Sequence, residues 1–319
     1  MEGSASLTKN LAEIEEWGNL YRLDLIARQV VEGFITGLHR SPFHGFSVEF
    51  AEHRHYNPGE STRHIDWKLY GRSDKLFVKR YEEETNLRAH LIIDTSSSML
   101  FPNPERKAIS KLYFSIYAAA AMIRLLRNQR DAVGLTLFSS DIEVTTPARL
   151  SEAHSQSLFH ELTKLLESNE ERHLTGNLNR TGRTPEILNQ LAELYPKRSL
   201  VILFTDMLDE GDPEELFSAL RHFRYNKHEV ILFHVKDQRL EEEFDYPARP
   251  HKFVDMETGR VMRVNPAEIK ALYQDRIRSY YSDIRLRCGQ YNIDFSEADI
   301  RQDFREVLLP FLIKRQKMY

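Results

Sequence analysis

The stretch Leu91-Ile92-Ile93-Asp94-Thr95-Ser96-Ser97-Ser98-Met99 decides the fold, because an apolar run ends there at an aspartate. Residues Leu87–Ile93 contain no proline or glycine and end in β-branched side chains, which predicts a buried strand. Residues Pro104–Arg127 carry apolar side chains at helical spacing, which predicts a helix. The turn between them lies where open α/β sheets bind ligands, beyond the carboxyl ends of their strands.

The alternation of polar residues in this turn indicates a metal site. Side chains two residues apart in extended chain point the same way, so Asp94, Ser96 and Ser98 can converge. One carboxylate and two hydroxyls are hard oxygen donors, which suit Mg²⁺, with Mn²⁺ or Ca²⁺ as alternatives. They suit zinc poorly, because no Cys or His takes part.

Two later residues complete an oxygen set. Thr184 precedes Pro185 at a predicted helix start, where we expect it to be the N-cap, and Asp206 follows the apolar strand Leu200–Phe204. The pattern of Asp94, Ser96 and Ser98 with a later threonine and aspartate resembles the metal-ion-dependent adhesion site of von Willebrand factor A (VWA) domains. The alternative is that these residues are only helix caps and turn formers, their usual roles.

Composition sets limits on the class of protein. The 319 residues carry a net charge of -4, which argues against bulk binding to nucleic acid or anionic membranes but not against a local patch. The single cysteine, Cys288, excludes intramolecular disulfides, and we expect it to be a small buried side chain. The N-terminus has no basic and apolar leader, and no apolar run is long enough to span a membrane, so we expect a cytoplasmic protein.

Strand and helix patterns alternate from Leu87 to Val235 and predict an α/β fold with a doubly wound, mostly parallel sheet flanked by helices. A hairpin at 132–145 interrupts the alternation, a helix is predicted from Ser151 to Ser168, and a loop follows at 169–183. The tail predicts a hairpin at 253–264, a helix from Pro266, an extended piece at 291–295 and a last helix at 299–314. We divide the chain into an N-terminal helical and extended region, 1–86, wrapped on a VWA-like domain with C-terminal helices, 87–319.

The region before this domain resembles the signature of a large bacterial family called domain of unknown function 58. That signature contains Arg-Ser-Pro-Phe-x-Gly, Glu-Phe, Arg-x-Tyr-x-Pro-Gly-Asp and Arg-x-Ile-Asp-Trp, then Leu-x-Val-Lys, Glu-Glu and Asp-x-Ser-x-Ser-Met. The chain has these motifs at 40–45, 49–50, 54–60, 63–67, 76–79, 82–83 and 94–99, with Glu60 where the family often has Asp. The signature residues that we single out are Arg40, Glu49, Arg54, Tyr56, Pro58, Gly59, Arg63, Asp66 and Trp67.

The two resemblances together imply a function. They imply a non-enzymatic binding module in which Asp94, Ser96, Ser98, Thr184 and Asp206 hold the ion and a carboxylate from a partner protein completes the site. Members of the family are typically encoded beside MoxR-type AAA+ ATPases, which implies an adaptor role in chaperone-like or metal-insertion assembly.

Other functions remain open at this point. A Mg²⁺-dependent phosphatase or hydrolase could use Asp94 as nucleophile, but no general acid or phosphate-binding base lies within 94–103. The basic, His-rich stretch at 39–80 could bind nucleic acid, or zinc through His53, His55 and His64. We favour internal ion pairing there, with Trp67, Arg63 and Asp66 locking the segment onto the sheet. The glycine-containing loop at 176–184 lacks the lysine, the spacing and the preceding strand of a phosphate-binding loop.

Overall fold

The structure is a computed structural model. It describes residues 23–28, 31, 52–55, 67–73, 75–80, 87–102, 110–175, 183–208, 213–302 and 307. The chain divides into two compact units, one of residues 38–86 and the other of residues 1–37 with 87–319.

The smaller unit contains a pair of short antiparallel strands and a helix. Strands β1 (Glu52–His55) and β2 (Phe77–Arg80) are antiparallel, and helix α1 (Trp67–Ser73) lies between them in sequence. Trp67, the first residue of α1, is 61% exposed, and its role in locking the segment onto the sheet stays a prediction.

A six-stranded sheet organises the larger unit, in the order β10-β7-β6-β3-β4-β5. All neighbouring strands are parallel except β4 and β5, which form the predicted hairpin. The strands are β3 (Arg88–Asp94), β4 (Ala132–Phe138), β5 (Ile142–Thr145), β6 (Leu200–Thr205), β7 (Glu229–Lys236) and β10 (Asp294–Asp299). A separate hairpin pairs β8 (His251–Val254) with β9 (Val261–Val264), as the sequence predicts.

Helices cover both faces of this sheet. The helices are α2 (Lys111–Asn128), α3 (Glu152–Thr175), α4 (Thr184–Leu194), α5 (Pro213–Tyr225) and α6 (Pro266–Gln290). Helices α2 and α3 and the helical segment 23–28 share one apolar core with one face of the sheet, and α4, α5 and α6 share a second core with the other. Side chains of β3 alternate between the two cores, so the prediction of a mixed α/β fold with a mostly parallel, helix-flanked sheet is confirmed.

Strand register brings the two predicted aspartates to one edge. Strands β3 and β6 are parallel neighbours, with Ile93 opposite Phe204. Because both strands run the same way, Asp94 at the end of β3 and Asp206 just after β6 emerge side by side.

Several predicted helix ends are wrong. Helix α2 begins at Lys111 rather than Pro104, because Ser110 is extended and its hydroxyl caps the helix by accepting from the Tyr113 N–H at 3.2 Å. Helix α3 continues to Thr175, into residues predicted as loop. Thr184 is the first residue of α4, preceded by Arg183 at the cap position, so Thr184 is not the N-cap.

The C-terminal prediction also needs correction. Asp294–Asp299 is an edge strand that pairs in parallel with β7, so a helix does not begin at Asp299. Its sequence, DFSEAD, has few apolar residues, and pairing with a distant strand outweighs its weak strand propensity. The rest of the predicted helix lies almost wholly outside the described residues.

Candidate metal site

The turn after β3 folds around the carboxylate of Asp94. Its Oδ1 accepts a hydrogen bond from the Ser96 backbone N–H at 2.9 Å, and its Oδ2 accepts one from the Thr205 hydroxyl at 2.8 Å. The bond to Ser96 is an Asx-turn, the local structure that aspartate favours after a strand. The hydroxyls of Ser96 and Ser98 are 3.1 Å apart, so the structure brings all three residues of the predicted motif together.

The loop after β6 holds Asp206 from several sides. Its Oδ1 accepts from the Leu208 N–H at 3.1 Å, and its carbonyl oxygen lies 3.1 Å from Nε2 of His234 on β7. The next residue, Met207, has φ of 58°, a conformation that non-glycine residues adopt at an energetic cost. The Tyr280 hydroxyl of α6 donates to the Met207 carbonyl and supports this strained turn.

Backbone hydrogen bonds place the turns that carry Thr184 and Asp94 against the same strand end. The Arg183 N–H donates to the carbonyl of Ser139, just after β4, at 3.5 Å, and the Thr95 N–H donates to the Phe138 carbonyl at 2.7 Å. The turns that carry Asp94 and Thr184 thus both contact the end of β4. Thr184 itself is buried.

Burial and a neighbouring charge act on Asp94. Burial raises its pKa to about 6, with the charge of Asp206 as a second cause, while hydrogen bonds from Ser96 and Thr205 oppose the shift. Ionisation of Asp94 in this buried position beside the Asp206 carboxylate is thus unfavourable. A cation between or beside them would relieve that repulsion.

Sequence reasoning missed two charged residues of this site. Lys111, the first residue of α2, is fully buried, and its Nζ lies 2.7 Å from Asp206 Oδ2 and 2.6 Å from Glu241 Oε1. Glu241 lies in a π-helical turn, Gln238–Glu242, directly after β7. A lysine at a helix start and a glutamate in a charged turn look like surface residues in sequence, so no pattern could have identified them.

The donor set fits a small divalent cation. Asp94, Asp206 and Glu241 against Lys111 leave two formal negative charges, which one divalent ion balances. The neighbouring hydroxyls are oxygen donors of the kind that Mg²⁺ binds. Within the described ranges, no three His, Cys, Asp or Glu side chains form a metal-holding group, so the candidate set depends on hydroxyls.

Most of the singled-out signature residues lie outside the described part of the chain. These are Arg40, Glu49, Tyr56, Pro58, Gly59, Arg63 and Asp66, and His64 of the alternative zinc set lies there too. Arg54 is placed only by its backbone, opposite Val78 in the β1–β2 pair. Trp67 contacts Tyr70 edge-on, with ring centroids 6.2 Å apart.

Comparison with known proteins identifies the family. The family model described as "Protein of unknown function DUF58" matches residues 52–282, well over half of the chain. The chain therefore belongs to this family. Uncharacterized proteins of Mycobacterium bovis and of two Mycobacterium tuberculosis strains are 23% identical over 220 residues, which is 69% of this chain and 65% of theirs. The chain thus matches just under two thirds of the length of those relatives.

Solved structures show more distant likenesses. The conserved hypothetical protein BatB from Bacteroides thetaiotaomicron aligns with 73% of this chain and 98% of its own, at 15% identity and a TM-score of 0.43. An aerotolerance-related membrane protein from Bacteroides fragilis aligns with 72% and 99%, at 13% identity and a TM-score of 0.41. Among the helices that the structure describes, none is both long and apolar enough to cross a membrane.

Proposed function

We propose that this member of the DUF58 family is a non-enzymatic, metal-dependent protein-binding module of the VWA type. In this proposal Asp94, Ser96, Ser98, Thr184 and Asp206 hold Mg²⁺, or Mn²⁺ or Ca²⁺ in its place. The observation that carries it is the buried Asp94 carboxylate, which lies beside the Ser96–Ser98 hydroxyl pair and feels the charge of Asp206. A buried carboxylate that is destabilised by another carboxylate is the arrangement that a bound cation relieves.

The contacts of the site favour binding over catalysis. A nucleophilic aspartate needs a nearby acid or base, yet the groups that hydrogen-bond to Asp94 are neutral, the Ser96 N–H and the Thr205 hydroxyl. Lys111, the buried base beside Asp206, is bound by two carboxylates and so is poorly placed to bind phosphate. These contacts support the binding module against the phosphatase alternative.

The chain's own residues would shape what the site recognises. The hydroxyls of Ser96, Ser98 and Thr184 add donors without adding negative charge, and Lys111 already neutralises part of the charge of Asp206. When bound, the ion would supply an open coordination position for an oxygen ligand. Because neutral hydroxyls would supply much of the coordination, the ion would keep its attraction for a charged oxygen, and an aspartate or glutamate of a partner protein is the ligand that it would favour.

Family resemblance supplies the partner in this proposal. The module would bind a MoxR-type AAA+ ATPase in the cytoplasm and act as its adaptor in chaperone-like or metal-insertion assembly. The acidic partner side chain would then come from that ATPase or from the protein on which it acts.

Co-precipitation with the MoxR-type ATPase of the same genome tests this proposal. We expect capture in Mg²⁺ that is lost in EDTA and lost in Ser96→Ala/Ser98→Ala, since both hydroxyls belong to the site. The matched control is Ser279→Ala/Ser282→Ala, which removes two exposed hydroxyls from α6 and should leave capture unchanged. Capture that stays at the wild-type Mg²⁺ level both in EDTA and in the Ser96→Ala/Ser98→Ala variant would refute metal-dependent binding. No capture under any condition would refute the proposed partner.

A further inference from the structure

Lys111 is the most unusual residue near the candidate site. It is among the largest fully buried side chains, and its ammonium group contacts Asp206 and Glu241 and lies 5.5 Å from the centre of the Phe101 ring. Burial alone would lower the pKa of Lys111, but the two carboxylates outweigh it and leave the pKa above its usual range. The two ion pairs, at 2.7 and 2.6 Å, thus hold a cation inside the protein.

The surrounding structure fixes this cation in place. Glu241 Oε2 accepts from the Asp237 N–H at 2.7 Å, so the carboxylate that holds Lys111 is itself held. The Asp237 carboxylate receives two hydrogen bonds from Arg301, each of 2.8 Å. At the other end, the backbone N–H of Lys111 donates to the Phe101 carbonyl at 3.0 Å, just beyond the turn that carries Ser96 and Ser98.

The position of the ammonium group has a consequence for ion binding. The Lys111 ammonium lies at hydrogen-bond distance from one oxygen of Asp206, while the other oxygen of Asp206 accepts from the Leu208 N–H. A divalent cation that approaches Asp206 therefore meets a like charge fixed on the same carboxylate. The same charge draws electron density from Asp206 and leaves less of it to neutralise an ion.

We propose that Lys111 is a specificity-determining residue of the site: it competes with the divalent ion for Asp206, which weakens ion binding and leaves the bound ion more attractive to a partner carboxylate. This inference rests on the proposed metal site and adds to it a residue that sets the affinity for the ion. It differs from a purely structural role, in which Lys111 would orient Asp206 and its loss would weaken ion binding.

Titration of Mn²⁺ into metal-stripped protein tests the inference. The variant Lys111→Met/Glu241→Gln removes one positive and one negative charge, so the net charge of the buried group is kept and its size nearly so. We expect this variant to bind one Mn²⁺ on the order of tenfold more tightly than wild type, because the competing charge is gone. Addition of Asp206→Asn should abolish the gain. The matched control, Lys164→Met/Glu167→Gln on the exposed side of α3, should bind as wild type does.

The outcomes separate this inference from the proposed function. Wild-type binding without a gain in the folded double variant overturns the role of Lys111 and leaves the metal site standing. Binding by the variant but not by wild type supports the inference and overturns the claim that the native chain binds the ion alone. No binding by either protein overturns both.

A second measurement covers the case in which the double variant does not fold. Lysine side chains of the wild type are labelled with ¹⁵N, and the ammonium signal of Lys111 is assigned by its loss in Lys111→Arg. We expect this signal to shift as Mg²⁺ is added, because the ion and the ammonium share Asp206. A signal that stays unchanged while calorimetry shows Mg²⁺ binding would overturn the inference.

Discussion

The two ends of the parallel sheet bury polar side chains in opposite ways. At the carboxyl end, Asp94, Asp206, Glu241 and Lys111 are buried among charged partners. At the amino end, His90 of β3 is buried against Tyr195, with ring centroids 3.8 Å apart and planes nearly parallel. The same strand, β3, thus carries a neutral aromatic contact near one end and an acidic group at the other.

The difference shows where the fold keeps charge at a cost. Burial lowers the pKa of His90 to about 4, with the charges of His228 and Arg88 as further causes, so the ring is neutral at pH 7. Burial also raises the pKa of the Tyr195 hydroxyl, which bonds with the Thr136 hydroxyl at 2.7 Å. The amino end thus avoids charge, whereas the carboxyl end retains it, as a site that binds a cation would require.

The largest expected effect comes from breaking the charge balance at the carboxyl end. Lys111→Met leaves Asp206 and Glu241 buried without their cation, and we expect a loss of about 3–5 kcal/mol in the free energy of unfolding. Urea denaturation in chelator measures it. Lys111→Met/Glu241→Gln should recover at least half of the loss, and Lys164→Met on the surface should change stability by less than about 0.5 kcal/mol. A Lys111→Met variant that is as stable as wild type would show that Lys111, Asp206 and Glu241 are not buried ion pairs.

The amino end should respond to acid. Since the pKa of His90 is about 4 when folded and 6.5 when unfolded, its contribution to stability is complete above pH 6.5 and is lost as the pH falls towards 4. Wild type should therefore lose about 2–3 kcal/mol between pH 7 and pH 4.5 through this residue alone. His90→Leu should remove that part of the pH dependence, whatever its constant effect on packing. His160→Leu, at an exposed position of α3, should leave the pH dependence intact, and parallel curves for wild type and His90→Leu would contradict the assignment.

The sequence predicts the position of the two aspartates at the carboxyl end of the sheet. Apolar runs that stop at Asp94 and just before Asp206 place both aspartates at strand ends, and parallel pairing of β3 with β6 then brings them together. The alternation of Asp94, Ser96 and Ser98 predicts their convergence because it depends only on local geometry.

Contacts between distant segments could not be predicted in this way. Lys111 and Glu241 are 130 positions apart and meet only because α2 and the turn after β7 reach the same edge of the sheet. The strand Asp294–Asp299 has too few apolar residues to be recognised without its partner β7. His90 stacks on Tyr195 of a segment more than a hundred residues away, and local patterns carry no information about such a pair.

The smallest expected effect concerns Asp94 and has the opposite pH dependence to His90. A carboxyl group whose pKa rises from 3.8 to about 6 on folding contributes stability that is complete below pH 3.8 and is lost as the pH rises through 6. Asparagine cannot ionise, so in chelator Asp94→Asn should gain about 2 kcal/mol over wild type between pH 4 and pH 7.5. Asp275→Asn, at an exposed position of α6, should show no such gain.

The unfolding free energy of wild type and Asp94→Asn at pH 7.5, with and without saturating Mg²⁺, tests the central claim most directly. We expect Asp94→Asn to be the more stable protein in chelator and wild type to be the more stable one in Mg²⁺. The order should reverse because an ion that binds only the folded wild type stabilises it by about 2.7 kcal/mol at one hundred times its dissociation constant. An unfolding free energy of wild type that does not change with Mg²⁺, Mn²⁺ or Ca²⁺ would contradict a cation site at the carboxyl end of the sheet.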